Sequence, residues 1–156
     1  MDENRALTEL IEGGLKPAVY QWRAPTMPSA GLAAASWPER AREAGWKVFY
    51  LNGRRARDKR SFLGLCREAF DLPEWAGRNW DALADCLKDL SWSPAGGGYL
   101  VLYEEWAELA EADQRAFRTA LDIFADAVEY WRDTGTPMTV LLSSIGVEVA
   151  GVPKLG

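Results

Sequence analysis

The chain has 156 residues, with 48% hydrophobic side chains, two cysteines, no histidine and a net charge of −5. A chain of this length buries roughly 70% of its unfolded surface on folding, so one domain can form without a metal ion or a disulfide. Because histidine is absent, Ser-His and Cys-His nucleophile pairs and the usual zinc sites are excluded, which leaves paired carboxylates as the remaining basis for catalysis.

The first 45 residues contain signals for three elements. A short helix is predicted over residues 1–16 and a strand over residues 17–23. The Ala-rich stretch 30–44 predicts a helix, in which Pro38 marks a start or a kink. Gly45 is suited to end that helix, because glycine adopts positive φ without strain.

From residue 46 onwards, strands alternate with helices. In chain order the predicted elements are a strand over 46–51 ended by Asn52-Gly53, a helix over 59–70 capped by Asp58, a helix over 80–90 capped by Asn79, a strand over 99–103, a short helix over 104–111, a helix over 114–132 opened by Asp113, and a strand over 138–144. This alternation indicates an α/β fold in which helices pack on a mostly parallel sheet.

Cys66 and Cys86 fall at apolar positions of two predicted helices. Their placement predicts buried, reduced thiols in preference to a disulfide. The chain contains no apolar run of about 18 residues, so we expect no membrane span. Because Met1 is not followed by a basic and then an apolar segment, we expect no secretory signal and a cytoplasmic location.

Acidic side chains are concentrated in the middle of the chain. Residues 1–70 carry 12 Lys/Arg and 8 Asp/Glu, whereas residues 71–135 carry 5 and 14, which favours a basic protein over a nucleic acid as partner. On a helix over residues 80–90, Asp81 and Asp85 lie one turn apart, opposite the apolar face. Four interpretations of this face stay open: a solvated surface, a contact surface for a basic partner, a weak divalent-metal site, or a carboxylate acid–base pair.

Two further features allow more than one interpretation. Trp75 lies between Pro73 and Gly77, where it can serve as an exposed interface anchor or as a lid packed over the sheet edge. Five cations occur within seven residues and form either a nucleic-acid contact or a solvated loop: Arg54, Arg55, Arg57, Lys59 and Arg60. No G-x-G-x-x-G or P-loop motif occurs, so the sequence predicts no cofactor.

Residues 72–87, Leu-Pro-Glu-Trp-Ala-Gly-Arg-Asn-Trp-Asp-Ala-Leu-Ala-Asp-Cys-Leu, resemble the signature stretch of barstar-like ribonuclease inhibitors. The shared pattern is Leu-Pro, an aromatic residue, Gly, Asn, and then Asp-Ala-Leu with a second Asp one turn later. The resemblance runs from about residue 48 to residue 144 and implies a three-stranded parallel sheet packed by helices in two or three layers. It implies an N-terminal extension of residues 1–45 that adds a strand and a helix, a barstar-like domain of residues 46–144, and a C-terminal tail of residues 145–156.

The resemblance implies an inhibitor, not an enzyme. Such a protein blocks the basic active site of a small secreted-type ribonuclease, most naturally a guanyl-specific one, as a monomer in a one-to-one complex without cofactor, metal or contact with nucleic acid. Trp75 would cover the nuclease active site, and Asp81 and Asp85 would take the places of substrate phosphates. Alignment of the long helix with that of the family adds Asp126. An immunity protein against a different toxin, or a nucleic-acid-binding module that uses Arg54–Arg60, is the alternative.

The motif also brings Gly77, Asn79 and Ala84 into the implied partner-binding set. The best-known member of the family has Trp at the position of Ala84. In the same comparison, Tyr stands at the position of Trp75 and the longer Glu at that of Asp126. These differences are compatible with the inhibitor class, and they do not identify the nuclease that the chain would bind.

Overall fold

The computed structural model describes residues 9, 12, 16–21, 36–77, 79–144 and 148–154. Four parallel strands form one sheet in the order β1-β4-β3-β2: β1 (Val19–Gln21), β2 (Trp46–Asn52), β3 (Gly98–Glu104) and β4 (Met138–Ser143). The helices are α1 (Ser36–Glu43), α2 (Lys59–Ala69), α3 (Trp80–Leu87), α4 (Ala107–Ala112) and α5 (Gln114–Arg132), with 3₁₀ helices at Gly53–Arg55 and Glu74–Gly77.

The predicted α/β fold is confirmed. Its sheet has four strands, because β1 joins the three that the resemblance implies.

Strand order decides which helices share a face of the sheet. From β2 to β3 to β4 the chain moves across the sheet in one direction, so right-handed crossovers place α2, α3 and α5 on one face. The connection from β1 to β2 runs the opposite way and places α1 on the other face. The strand side chains that face α2, α3 and α5 recur at every second position: Phe49, Leu51, Tyr99, Val101, Tyr103, Met138, Val140 and Leu142.

An aromatic cluster joins the three helices to the sheet. The ring centroid of Phe62 on α2 lies 5.9 Å from that of Trp80 on α3, 5.5 Å from Tyr103 on β3 and 6.2 Å from Phe124 on α5. Phe62, Tyr103 and Phe124 are fully buried. Such contacts add roughly 0.5–1.5 kcal/mol each beyond the burial of apolar area, so they fix α3 and α5 relative to each other.

The predicted helix caps are confirmed. The side chain of Asp58 accepts a hydrogen bond from the backbone N–H of Ser61 at 2.8 Å, and the Ser61 hydroxyl in turn accepts one from the N–H of Asp58. Asp113 caps α5 through the N–H of Ala116 at 3.1 Å. Gly45 and Gly135 both have positive φ, of 93° and 81°, as expected for glycines that follow helices.

Two predicted helix ends lie three residues away from those in the structure. The helix predicted over residues 80–90 ends at Leu87, because the N–H groups of Lys88 and Asp89 bond to carbonyls three residues back and Leu90 turns inward with φ of +47°. The helix predicted from residue 104 begins at Ala107, because residue 104 ends β3 and Glu105 has φ of +54°. Both helix boundaries depend on a residue with a left-handed backbone that is not glycine, so the sequence does not indicate them.

Part of the N-terminal prediction lies outside the described residues. The helix predicted over residues 1–16 falls there except at positions 9, 12 and 16, and so do residues 22–23 of the predicted strand and residues 30–35 of the Ala-rich helix. Within the described part of the chain, no helix has both the length and the apolar character needed to cross a membrane.

Replacing Gly53 by alanine is expected to destabilise the fold by about 1–3 kcal/mol or more. A Cβ atom at this position would lie 2.3 Å from the carbonyl oxygen of Glu104 and 2.5 Å from that of Glu105, and backbone atoms yield little. Gly64 provides the matched control, because a Cβ on it meets no atom within 4 Å. Urea unfolding should show Gly64→Ala to be neutral or stabilising by up to about 1 kcal/mol, and an equal loss in both variants would contradict the steric explanation.

The two cysteines are buried and not joined by a disulfide, as predicted. Burial raises the pKa of the Cys66 thiol, and burial together with the nearby carboxylates of Asp89 and Asp85 raises the pKa of the Cys86 thiol. Because the thiolate is the reactive form, we expect neither thiol to react appreciably with an aromatic disulfide reagent in the native protein. Both should react after unfolding in urea, and rapid labelling of the native protein would contradict this burial.

Candidate functional site

The short helix α3 has one buried face and one acidic face. Ala82, Leu83, Cys86 and Leu87 are buried against the core, whereas Asp81 and Asp85 are exposed on the opposite side. The helical spacing therefore gave the correct orientation of both carboxylates. Among the described residues, neither carboxylate forms a hydrogen bond or an ion pair.

Both ends of α3 are held by specific contacts. At its start, the side chain of Asn79 accepts a hydrogen bond from the N–H of Ala82 at 2.8 Å, so this predicted contact residue also caps the helix. At its end, the indole Nε1–H of Trp131 on α5 donates to the carbonyl oxygen of Leu87 at 2.7 Å. The backbone that carries Asp81 and Asp85 is thus held at both ends of the helix.

Trp75 is an exposed residue of a short, well-anchored turn. Its side chain is 55% exposed, whereas Leu72 and Ala76 on either side of it are buried. The N–H of Ala76 donates to the carbonyl of Pro73 at 3.0 Å, which closes the turn before Gly77 ends the 3₁₀ helix. This exposure favours the interface-anchor interpretation over a lid packed on the sheet edge.

The remaining predicted positions lie on α3 and α5. Ala84 is half-buried and packs against the core, so it adds a small side chain between the two acids. Asp126 is exposed on α5, the helix that packs against α3. Tyr130, one turn after Asp126, is 50% exposed and was not among the predicted site residues. Only its helical spacing from Asp126 could have indicated it.

The basic segment is exposed but partly neutralised within the chain. Arg55 pairs with Glu68 at 3.4 Å, and Arg57 pairs with Glu108 at 3.6 Å. The ammonium group of Lys59 lies 5.9 Å from the ring centroid of Trp80. Three of the five cations therefore have intramolecular partners, which is typical of a solvated surface.

The chemistry available at the acidic face is that of binding. Asp81 and Asp85 are adjacent on one helix, so they do not flank a substrate from two sides as an acid–base pair requires. Among the described residues, no third carboxylate or cysteine comes close enough to complete a metal-ligand group. The face offers two exposed negative charges on a helix that contacts the turn carrying an exposed indole.

Comparison with known proteins identifies the family of the chain. The family model described as Barstar (barnase inhibitor) matches residues 46–143, well over half of the chain. The chain belongs to the barstar family. This confirms the resemblance that residues 72–87 carry, and it makes the chain similar to inhibitors whose partners are ribonucleases. No curated protein matches the chain.

The solved structures that resemble the chain show the fold alone. Two structures of the Aeropyrum pernix ORC2 protein, one in ADPNP–ADP complexes and one in the ADP form, match it with a TM-score of 0.57 and identities of 18% and 16%. Each match covers 91% of this chain and 39% of the ORC2 chain, so the chain spans about two fifths of that protein.

Proposed function

We propose that this chain inhibits a ribonuclease by covering its basic active site with an acidic surface made of Trp75, Asp81, Asp85 and Asp126. The observation that carries the proposal is the exposed pair Asp81 and Asp85 on a helix whose opposite face is buried in the core. Membership of the barstar family supports the inhibitor class and a ribonuclease as partner.

Charge complementarity explains how such a surface can block a nuclease. A nuclease active site gathers Arg and Lys side chains to bind phosphates, and carboxylates form strong charge-assisted hydrogen bonds with the same groups. Asp81 and Asp85 repel each other by roughly 0.2–0.5 kcal/mol in the free protein, and a basic partner removes this repulsion. The acidic surface would also accelerate the encounter with a basic enzyme.

The other predicted contact residues would shape the acidic surface and its surroundings. Asn79 fixes the start of α3 and thus the direction of its acidic face. Gly77 joins the turn that carries Trp75 to the segment leading into α3. Ala84 has a small side chain, so partner side chains can approach the α3 backbone between the two acids.

We further propose that residues 1–45 and 145–156 are additions to the inhibitor domain of residues 46–144. The side chain of Gln21 on β1 supports this arrangement, because its amide donates to the carbonyls of Val149 and Val152 at 2.6 and 2.7 Å and accepts from the N–H of Val149 at 2.7 Å. These contacts and the bond from the N–H of Gln21 to the carbonyl of Pro153 attach the C-terminal segment to the end of the edge strand β1. Covering part of this edge in the same chain favours a monomer that forms a one-to-one complex.

The same chemistry supports a more specific partner. We propose a small secreted-type, guanyl-specific ribonuclease, against which a cytoplasmic inhibitor would act as an immunity protein. The acidic sequence pI of about 4.9 suits such a partner, because opposite charge accelerates association.

Titration of purified secreted ribonucleases with the full chain tests this function. RNA cleavage should fall linearly and cease at one equivalent of inhibitor for at least one guanyl-specific enzyme. The variant Asp81→Asn/Asp85→Asn is the matched control and should inhibit far more weakly while folding normally. Undiminished cleavage by every enzyme of a broad panel would contradict the proposal.

A further inference from the structure

Tyr130 is a large exposed aromatic side chain on the helix that carries Asp126. It is 50% exposed, and it follows Asp126 by four residues on α5, so the two side chains lie on the same side of the helix. Phe117, Phe124 and Val128 form the buried stripe of α5, and Tyr130 does not belong to it.

A chain of contacts holds the ring of Tyr130 near the end of α3. The centroid of this ring lies 5.3 Å from that of Trp131, at an interplanar angle of 89°. The indole of Trp131 bonds to the carbonyl of Leu87 and packs edge-on against Tyr99, with centroids 5.0 Å apart. Leu87 is the last residue of α3, so Tyr130 contacts the side chain that holds the end of this helix.

Exposed carboxylates occur before and after Tyr130 along α5 and at its C-terminal cap. Asp122 and Asp126 precede Tyr130 at four-residue spacing, and Asp133 follows it by three, all three acids being exposed. Glu129 is ion-paired with Arg132, whose guanidinium also donates to the carbonyl of Pro17. An aromatic ring in such an acidic setting suits the guanidinium or ammonium group of a basic protein, through cation–π contact and adjacent ion pairs.

We propose that Tyr130 is a second aromatic anchor of the acidic surface, which contacts a cationic side chain on the rim of the ribonuclease active site and helps to select the partner. This inference rests on the proposed function. Trp75 precedes α3 in the chain, and Tyr130 contacts the indole that bonds to the last residue of α3, so the two aromatics would bracket Asp81 and Asp85 along the helix. The half-buried Ala84 leaves the intervening surface open to the partner.

Tyr50 provides a matched control. It is also 50% exposed, but it alternates with the core residues Phe49 and Leu51 and therefore lies on the other face of the sheet. Its hydroxyl donates to the carboxylate of Glu104 at 3.0 Å, so its surroundings are acidic as well. Replacing Tyr50 therefore removes a side chain of the same type at a position far from α3.

The experiment measures dissociation constants of full-length variants with the ribonuclease that the wild-type chain inhibits. Tyr130→Ala should raise the dissociation constant by roughly tenfold or more, as expected for an interface aromatic. Tyr130→Phe keeps the ring and should stay within about threefold of wild type, as should Tyr50→Ala. Thermal unfolding of each free variant separates lost affinity from lost folding.

Two outcomes overturn the inference, and they are distinguishable. If Asp85→Ala weakens the complex but Tyr130→Ala changes it no more than Tyr50→Ala does, the role of Tyr130 is wrong and the proposed function stands. If the wild-type chain binds no ribonuclease, the proposed function fails and this role fails with it.

Discussion

Replacing Asp85 by alanine is expected to weaken the complex with the ribonuclease by about 2–5 kcal/mol, roughly 30- to 5000-fold in dissociation constant. Asp85 receives little support from the helix dipole and, among the described residues, has no hydrogen-bonding or ionic partner, so its interactions in the complex are made with the partner. Its removal would leave cationic groups of the nuclease buried without a counter-charge, a situation that is costly. Surface plasmon resonance should show the change mainly as faster dissociation.

The stability of the free variant distinguishes this explanation from damage to the fold. Because Asp85→Ala removes the repulsion with Asp81, the free energy of unfolding should stay equal or rise by roughly 0.2–0.5 kcal/mol. Glu111 on α4 is a suitable control, because it is exposed and carries the same charge. Glu111→Ala should alter long-range attraction slightly and leave dissociation unchanged. Equal dissociation rates for Asp85→Ala and the wild type would exclude Asp85 from the interface.

Replacing Trp75 by alanine is expected to weaken the same complex by about 2–4 kcal/mol with little effect on folding. The indole is more than half exposed, and within the described chain it has no hydrogen-bonding partner, so the folded state loses little without it. In a complex the same ring would be fully desolvated next to the paired charges, where aromatic anchors contribute most. Titration calorimetry of the purified variant measures the loss.

Trp92 offers a control of the same residue type. It is 39% exposed, but its Nε1–H donates to the carbonyl of Phe70 at 3.0 Å and ties the loop after α3 to the end of α2. Trp92→Ala should therefore lower stability and affect affinity less. If Trp75→Ala lowered stability as much as Trp92→Ala while the affinity stayed at the wild-type value, Trp75 would be a structural residue.

Local signals in the sequence were sufficient to predict the helix caps and the side of α3 on which Asp81 and Asp85 lie. Asp58 and Asn79 act within three residues of themselves, and their side chains reach the predicted N–H groups. Asp81 and Asp85 face away from the core because helical spacing alone separates them from Leu83 and Leu87. Neither feature depends on a distant part of the chain.

The features that the sequence did not reveal depend on tertiary packing. Leu90 continues the apolar spacing of α3, yet the helix stops before it because Leu90 turns into the core with a left-handed backbone. The position of Asp126 relative to α3 depends on the packing of α3 against α5, which the bond from Trp131 to Leu87 fixes across 44 residues. Propensity and spacing carry no information about that contact.

The exposure of individual aromatic residues could be predicted only in part. Trp75 and Trp80 lie five residues apart, yet Trp75 is 55% exposed whereas Trp80 packs on Phe62. Tyr130 and Trp131 are adjacent, and only Trp131 reaches the core and α3. Helical spacing places Trp80 near the apolar face of α3, whereas the sequence left Trp75 open between an exposed anchor and a packed lid, so three-dimensional packing decides whether Trp75 is available to a partner.

Competition with an active-site ligand tests most directly whether the acidic surface covers the catalytic centre of the nuclease. The dissociation constant of the complex would be measured by calorimetry at increasing concentrations of a guanosine mononucleotide that occupies the enzyme's phosphate-binding groups. The apparent dissociation constant should rise in proportion to the nucleotide concentration, because Asp81 and Asp85 would compete with its phosphate for the same cations. An affinity that stays constant at saturating nucleotide would show that the chain binds elsewhere on the enzyme and would contradict the proposed mode of inhibition.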